Sequence, residues 1–304
     1  MTTGGDKMVA NHPVSVRFHV WGGVCRRSWL AVRVVAGLFL CAVPTSFSHA
    51  ADAIAEPPVS EGDLSSSAEG VAAYFDGDFD RAFRIFGALE PAGDPLVLNN
   101  LGVLYFKGRG VSQDFDKAAI LFRRAAELGD PHGQFNLATM AADGRGMAKD
   151  SDQARFWYEK AAGQGFAKAE NNLGSLYQDG DGVERDYARA AAWYRRAAER
   201  GYARAQFNLA VLYQHGLGVA ADPVEAARLM ALAAADGDDV AMVNLAQRYM
   251  DGDGVGTDLS LATLWLTRAT AAARTEDVRE AVEMAERRLD ALQRLETTKS
   301  VPRE

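Results

Sequence analysis

Few residues of this 304-residue chain invite a chemical reading. Asp179-Gly180-Asp181-Gly182 and Asp251-Gly252-Asp253-Gly254 carry the first two ligand positions of a calcium loop, in which oxygens two residues apart converge on one hard cation. Val183 and Val255 then stand where the third ligand belongs, and a hydrocarbon supplies no oxygen. Gly216-Leu217-Gly218 imitates a dinucleotide fingerprint, which requires a strand before its glycines. His132 and His215 lie far apart with no HExxH pair, and neither GxSxG nor a serine three residues before a lysine occurs, so metalloprotease and serine-hydrolase readings have no support. No enzyme, metal centre or cofactor is expected.

One residue type recurs with a spacing that suits binding. Asn100, Asn136, Asn172, Asn208 and Asn244 stand 36 residues apart, each followed by leucine. An amide donates to a carbonyl and accepts from an N–H, so a ladder of amides on successive elements suits an extended peptide. Lys107 and His215, seven residues beyond Asn100 and Asn208, fall on the same helical stripe. Phe106, Phe135 and Phe207 are groove candidates whose rings favour stacking on sugar, the alternative ligand. The other reading of the column is structural, each asparagine bonding the neighbouring helix.

These residues must be positioned by a repeat. Gly-x-Gly follows each Asn-Leu pair at Gly108/Gly110, Gly144/Gly146, Gly180/Gly182, Gly216/Gly218 and Gly252/Gly254, which gives five copies over residues 96–275. Leu101 and Tyr105, with their equivalents, form the i, i+4 stripe of a first helix. The glycines end it, since glycine takes positive φ without steric cost. Asp114, Asp150, Asp186, Asp222 and Asp258 then read as N-caps of a second helix, and Asp222-Pro223-Val224-Glu225 predicts a capping box. That second helix is expected to bury Ala118, Leu121 and Phe122, then Ala154, Trp157 and Tyr158, then Ala190, Trp193 and Tyr194. After Thr275 a stripe of Val278, Val282, Ala285, Leu289 and Leu292 predicts a capping helix over 276–296, followed by a polar tail at 297–304.

The copies resemble the Sel1-like repeat of the tetratricopeptide superfamily, best seen from Leu173 to Gly201. Gly70, Gly77, Phe79, Ala82 and Phe86 resemble a degenerate tetratricopeptide unit over 68–95. The resemblance implies an all-α fold, an α/α superhelical solenoid of helix pairs. It implies a non-enzymatic scaffold or regulatory protein that holds a protein or peptide partner on its concave face. Cysteine-rich family members are described as penicillin-binding or weakly β-lactamase active, but they carry a cysteine pair in their repeats that this chain lacks.

The ends and the charge complete the reading. The chain has 33 Lys+Arg against 41 Asp+Glu, a net charge of -8, and the first fifty residues hold five cations against Asp6 alone. An acidic body argues against a nucleic-acid partner. The basic stretch to Arg33, the apolar run Val34 to Val43, and Ser48-His49-Ala50 predict a signal peptide over 1–50, cleaved after Ala50. The ten apolar residues are too short to span a bilayer. Arg26-Arg27 leaves both the general and the twin-arginine route open. Cys25 and Cys41 both lie in that signal, so the mature chain is expected in the periplasm or outside the cell with no disulfide. Residues 51–67 read as a flexible linker.

Overall fold

The computed structural model describes residues 66–299; the expected signal, nearly all of the linker and residues 300–304 lie outside them. Among the described residues every regular element is helical. α1 (Ser66–Phe75) and α2 (Phe79–Leu89) are followed by a 3-10 turn (Glu90–Ala92). Five first helices come next, α3 (Pro95–Lys107), α5 (Pro131–Asp143), α7 (Ala167–Asp179), α9 (Ala203–His215) and α11 (Asp239–Asp251). They alternate with second helices α4 (Phe115–Glu127), α6 (Ser151–Gly163), α8 (Tyr187–Glu199), α10 (Pro223–Ala235) and α12 (Leu259–Ala272), and α13 (Glu276–Lys299) closes the array. Each helix packs on its successor, so the chain stacks as an α/α solenoid of helix pairs. Among the described residues no helix is long and apolar enough to cross a membrane.

Local chemistry sets each boundary. The Asp114 carboxylate accepts from the Lys117 N–H at 2.9 Å, and Asp150, Asp186 and Asp258 repeat the contact, each answering one of the free amides of a helix start. Asp222 accepts from the N–H groups of Val224 and Glu225. The predicted capping box is only half made, because the Glu225 carboxylate turns to the Arg228 guanidinium at 2.7 Å instead of reaching back to the backbone. A charged fork three residues on is a stronger partner than one neutral amide. The linker expectation also shifts slightly, since α1 already begins at Ser66.

The two glycines of each turn have different tasks. The first, such as Gly180 with φ 74, is a left-handed C-cap whose N–H returns to Leu176 O. The second sits where the turn touches the start of the preceding second helix. A Cβ on Gly110 would collide with the Phe79 carbonyl, one on Gly254 with the Pro223 carbonyl, and one on Gly182 with Ser151. Positive φ and close approach coincide there.

Packing between the helices of a pair follows the small residue after each leucine. A Cβ on Gly102 would lie 2.7 Å from the Phe122 ring, and one on Gly174 2.5 Å from the Tyr194 ring. Gly70 meets Phe86 in the same way at 2.5 Å, so α1 and α2 pack as the five full repeats do. Ala118, Leu121, Phe122, Ala154, Tyr158, Ala190 and Tyr194 are buried. Trp157 and Trp193, expected in the core, are only half-buried; the indole is larger than the Leu121 that holds the same place in the first repeat, and the Trp193 ring face carries the Arg196 guanidinium 4.6 Å from its centroid. α13 lays Val278, Val282, Ala285 and Leu289 on α11 and α12 with Leu292 half-buried, and covers the last repeat. It runs to Lys299, into the segment expected to be tail.

Candidate functional site

The first helices carry the asparagine column, and their side chains reach into one another. Asn136 donates to Asn99 Oδ1 at 2.8 Å across α5 and α3, and Asn208 to Asn171 Oδ1 at 3.0 Å across α9 and α7. Asn99 and Asn171 donate in turn to Asn100 and Asn172. Asn172 donates to the Tyr158 hydroxyl of the preceding repeat at 3.0 Å, and Asn244 to Val240 O of its own helix. Asn100 and Asn136 have no exposed surface. These two expected groove residues therefore serve packing, because neighbouring first helices approach closely enough to bury their amides. Asn172, Asn208 and Asn244 are half-buried and keep one edge outward.

The aromatic groove candidates move inside as well. Phe135 (2% exposed) packs on Tyr158 and Phe166, Phe207 (6%) lies in the core around α9, and Phe106 (8%) meets Phe115 edge-on at 5.1 Å. Rings that a repeat needs for its own core present no face to a sugar. Lys107 is half-buried and His215 exposed, at the C-terminal ends of α3 and α9.

A buried hydroxyl network, missed by reading one column at a time, lies beneath this face. Thr139 Oγ1 is 3.0 Å from the Tyr158 hydroxyl and donates to Phe135 O. Ser175 Oγ is 3.2 Å from the Tyr194 hydroxyl, which donates to Gln178 Oε1. Burial pushes the Tyr158 pKa up to about 12 and raises that of Tyr194 further, so both rings stay neutral donors. In the first and fourth repeats Val103 and Val211 stand in place of the hydroxyl residue, and Phe122 and Met230 in place of the tyrosine. The two columns change together, a signal present in the aligned copies.

Charges inside the array are paired both within a repeat and between repeats. Glu170, wholly buried, takes Arg196 at 3.1 Å and Arg200 at 3.2 Å. Arg248, 4% exposed, replaces the Leu or Met of the other four copies and donates to Pro223 O, Asp253 O and Met230 Sδ while pairing with Asp253. Asp181 of the calcium-like motif receives Lys149 at 3.0 Å and Ser151 at 2.7 Å, so both motifs tie a turn to side chains. Among the described residues no three His, Cys, Asp or Glu side chains gather as a metal site.

What stays available is a row on the last three first helices. Gln178 and Asn172 on α7, Asn208, Val211 and Gln214 on α9, and Asn244 and Gln247 on α11 are all half-exposed. Asp179, His215 and Asp251 stand exposed at the helix ends beside them. The row offers uncharged donors and acceptors around one valine, flanked by charge.

Comparison with known proteins agrees with this architecture. A search of curated proteins finds no match. A Sel1 repeat protein from Oxalobacter formigenes is 30% identical with a TM-score of 0.64, over 73% of this chain and 97% of that one. A protective antigen present in uropathogenic Escherichia coli strains, with an SLR fold, is also 30% identical with a TM-score of 0.66, and this chain spans 51% of its length. An immunity protein from Pseudomonas aeruginosa, 20% identical at a TM-score of 0.50 over 73% of this chain and 85% of its own, shares the fold. The Sel1 repeat matches residues 95–130, 131–166, 167–202, 203–238 and 239–273, more than half of the sequence and one match for each first-and-second helix pair, and on these grounds the chain belongs to the Sel1 repeat family.

Proposed function

We propose that this protein is an exported, non-enzymatic binding module that holds an extended peptide segment of a protein partner across α7, α9 and α11. One observation carries the reading: half-exposed amides repeat on three successive first helices, and Gln214 and Gln247 are used by no hydrogen bond among the described residues. An amide with both capacities matches a peptide backbone without demanding a side chain, and Val211, one turn before Gln214 on α9, supplies an apolar contact. The burial of Phe106, Phe135 and Phe207 takes stacking surface away from a sugar ligand, which favours protein over glycan.

Export rests on the first fifty residues, outside the described ones. The similarity to a protein described as a protective antigen is in keeping with export. Mass spectrometry of the protein from its own host is expected to show an N-terminus at Ala51; a start at Met1 or Met8 contradicts export. The binding reading is tested by selecting ligands for the purified protein from a random peptide library. The double variant Gln214→Ala, Gln247→Ala is expected to bind the selected peptides about tenfold or more weakly with an unchanged melting temperature. Unchanged affinity sends the site elsewhere.

A further inference from the structure

The closing helix has an apolar row that the solenoid does not use. Its inner face is filled by Val278, Ala281, Val282, Ala285 and Leu289. To one side of that face stand Met284, 50% exposed, Ala291, and Leu295, 56% exposed. They are seven and four residues apart and so lie in one line along the helix. Leu292, half-buried beside Leu295, joins the row to the core. Arg288, between Met284 and Ala291, is drawn back to Asp251 on α11, which leaves the row less crowded by its charge.

The charges of α13 are sorted by half. From Glu276 to Glu286 there are five carboxylates against Arg279 alone; from Arg287 to Glu296 there are three arginines against Asp290 and Glu296. Such sorting favours the helix macrodipole, but the macrodipole gives no reason for exposed Met284 and Leu295. A single explanation covers the row and the sorting together.

We propose that this face of α13 pairs antiparallel with the α13 of a second copy of the same chain, about a two-fold axis near Leu289 and Asp290. Met284 of each copy then lies opposite Leu295 of the other, and Ala291 near the axis lets the helices approach. The acidic half of one helix faces the arginine half of its partner, whereas parallel pairing sets like charge against like. The contact is isologous and closes after two copies, leaving the row on α7, α9 and α11 of each copy its own binding face.

The test is the mass of the full chain in solution by light scattering across concentration. A dimer is expected, and Met284→Glu with Leu295→Glu is expected to yield a monomer with an unchanged melting temperature. Two further variants read the charge pattern: Arg287→Glu with Arg294→Glu makes both halves acidic, and Glu276→Lys with Glu280→Lys and Glu283→Lys makes both halves basic. Each is expected to be monomeric alone, and their equimolar mixture to restore a dimer of one copy of each. Wild-type protein that stays monomeric up to about 100 μM overturns the proposal and leaves the row to another partner or none. A dimer indifferent to the Met284 and Leu295 changes, or a mixture that stays monomeric, overturns it too.

Discussion

The second and third repeats differ from the first and fourth at one buried contact, and in everything else they share a frame. In the second and third, a hydroxyl on the first helix meets a tyrosine on the second, Thr139 with Tyr158 and Ser175 with Tyr194. In the first and fourth the same positions pair Val103 with Phe122 and Val211 with Met230, all but Val211 buried. Repeat proteins tolerate either solution because each repeat answers only to its neighbours. Mixing the solutions is costly, since a lone buried hydroxyl loses water without gaining a partner. The contrast touches the asparagine column once: Tyr158 accepts from Asn172, whereas Asn136, fourteen residues after Phe122, donates to Asn99 instead.

The largest effect breaks the frame that both kinds of repeat share. Gly182 has φ 71, and a side chain there meets Ser151, so Gly182→Val is expected to cost more than ~2 kcal/mol through strain and collision. Urea midpoints measure the loss, and hydrogen exchange is expected to localise it to the repeats around α6 and α7. Uniform loosening from α1 to α13 contradicts nearest-neighbour stacking.

The next effect exchanges the two solutions. Phe122→Tyr places a hydroxyl against Val103 and is expected to cost ~1–3 kcal/mol; Tyr158→Phe, which removes the partner of Thr139 and Asn172, is expected to cost a similar amount. Adding Val103→Thr to Phe122→Tyr is expected to recover at least ~0.5 kcal/mol beyond additivity. A cycle with zero coupling means the two columns vary independently.

The smallest effect compares two helix starts. α5 is capped by Asp130, which accepts from the Gly133 N–H at 2.6 Å, while α7 begins after Phe166 without a side-chain cap. Burial pushes the Asp130 pKa up to about 6, over the opposing pull of its backbone donors. The folded chain then holds that proton more tightly than the unfolded one, so the Asp130 contribution to stability is greatest below pH ~4, falls as pH rises to ~6 and is level above. Burial lowers the pKa of His132, which works with opposite sign and is unfavourable at low pH. Asp130→Asn keeps an acceptor at the cap and is expected to remove the falling part, leaving the variant ~1 kcal/mol more stable relative to wild type at pH 7 than at pH 4.5. Parallel urea curves at both pH values contradict the assignment.

The 36-residue period made the fold legible because helix, glycine turn and capped helix are local features, each written in a few residues such as Gly180, Gly182 and Asp186. The binding face was less legible. Whether Asn100 or Asn172 keeps an outer edge depends on how closely adjacent first helices stack, and no single copy encodes that distance. Glu225 shows the same limit, since a capping box and an Arg228 fork compete within four residues. The Thr139–Tyr158 and Ser175–Tyr194 pairing was readable once copies are compared two columns at a time, as was Arg248 in a column of Leu and Met.

The central claim is that α7, α9 and α11 present the binding face. Hydrogen exchange of the protein with and without a selected peptide tests it most directly. The account predicts slowed exchange at the outward ends of α7, α9 and α11, around Gln178, Gln214 and Gln247, with α8 and α10 unchanged; protection confined to the second helices, or to α3 and α4, contradicts it.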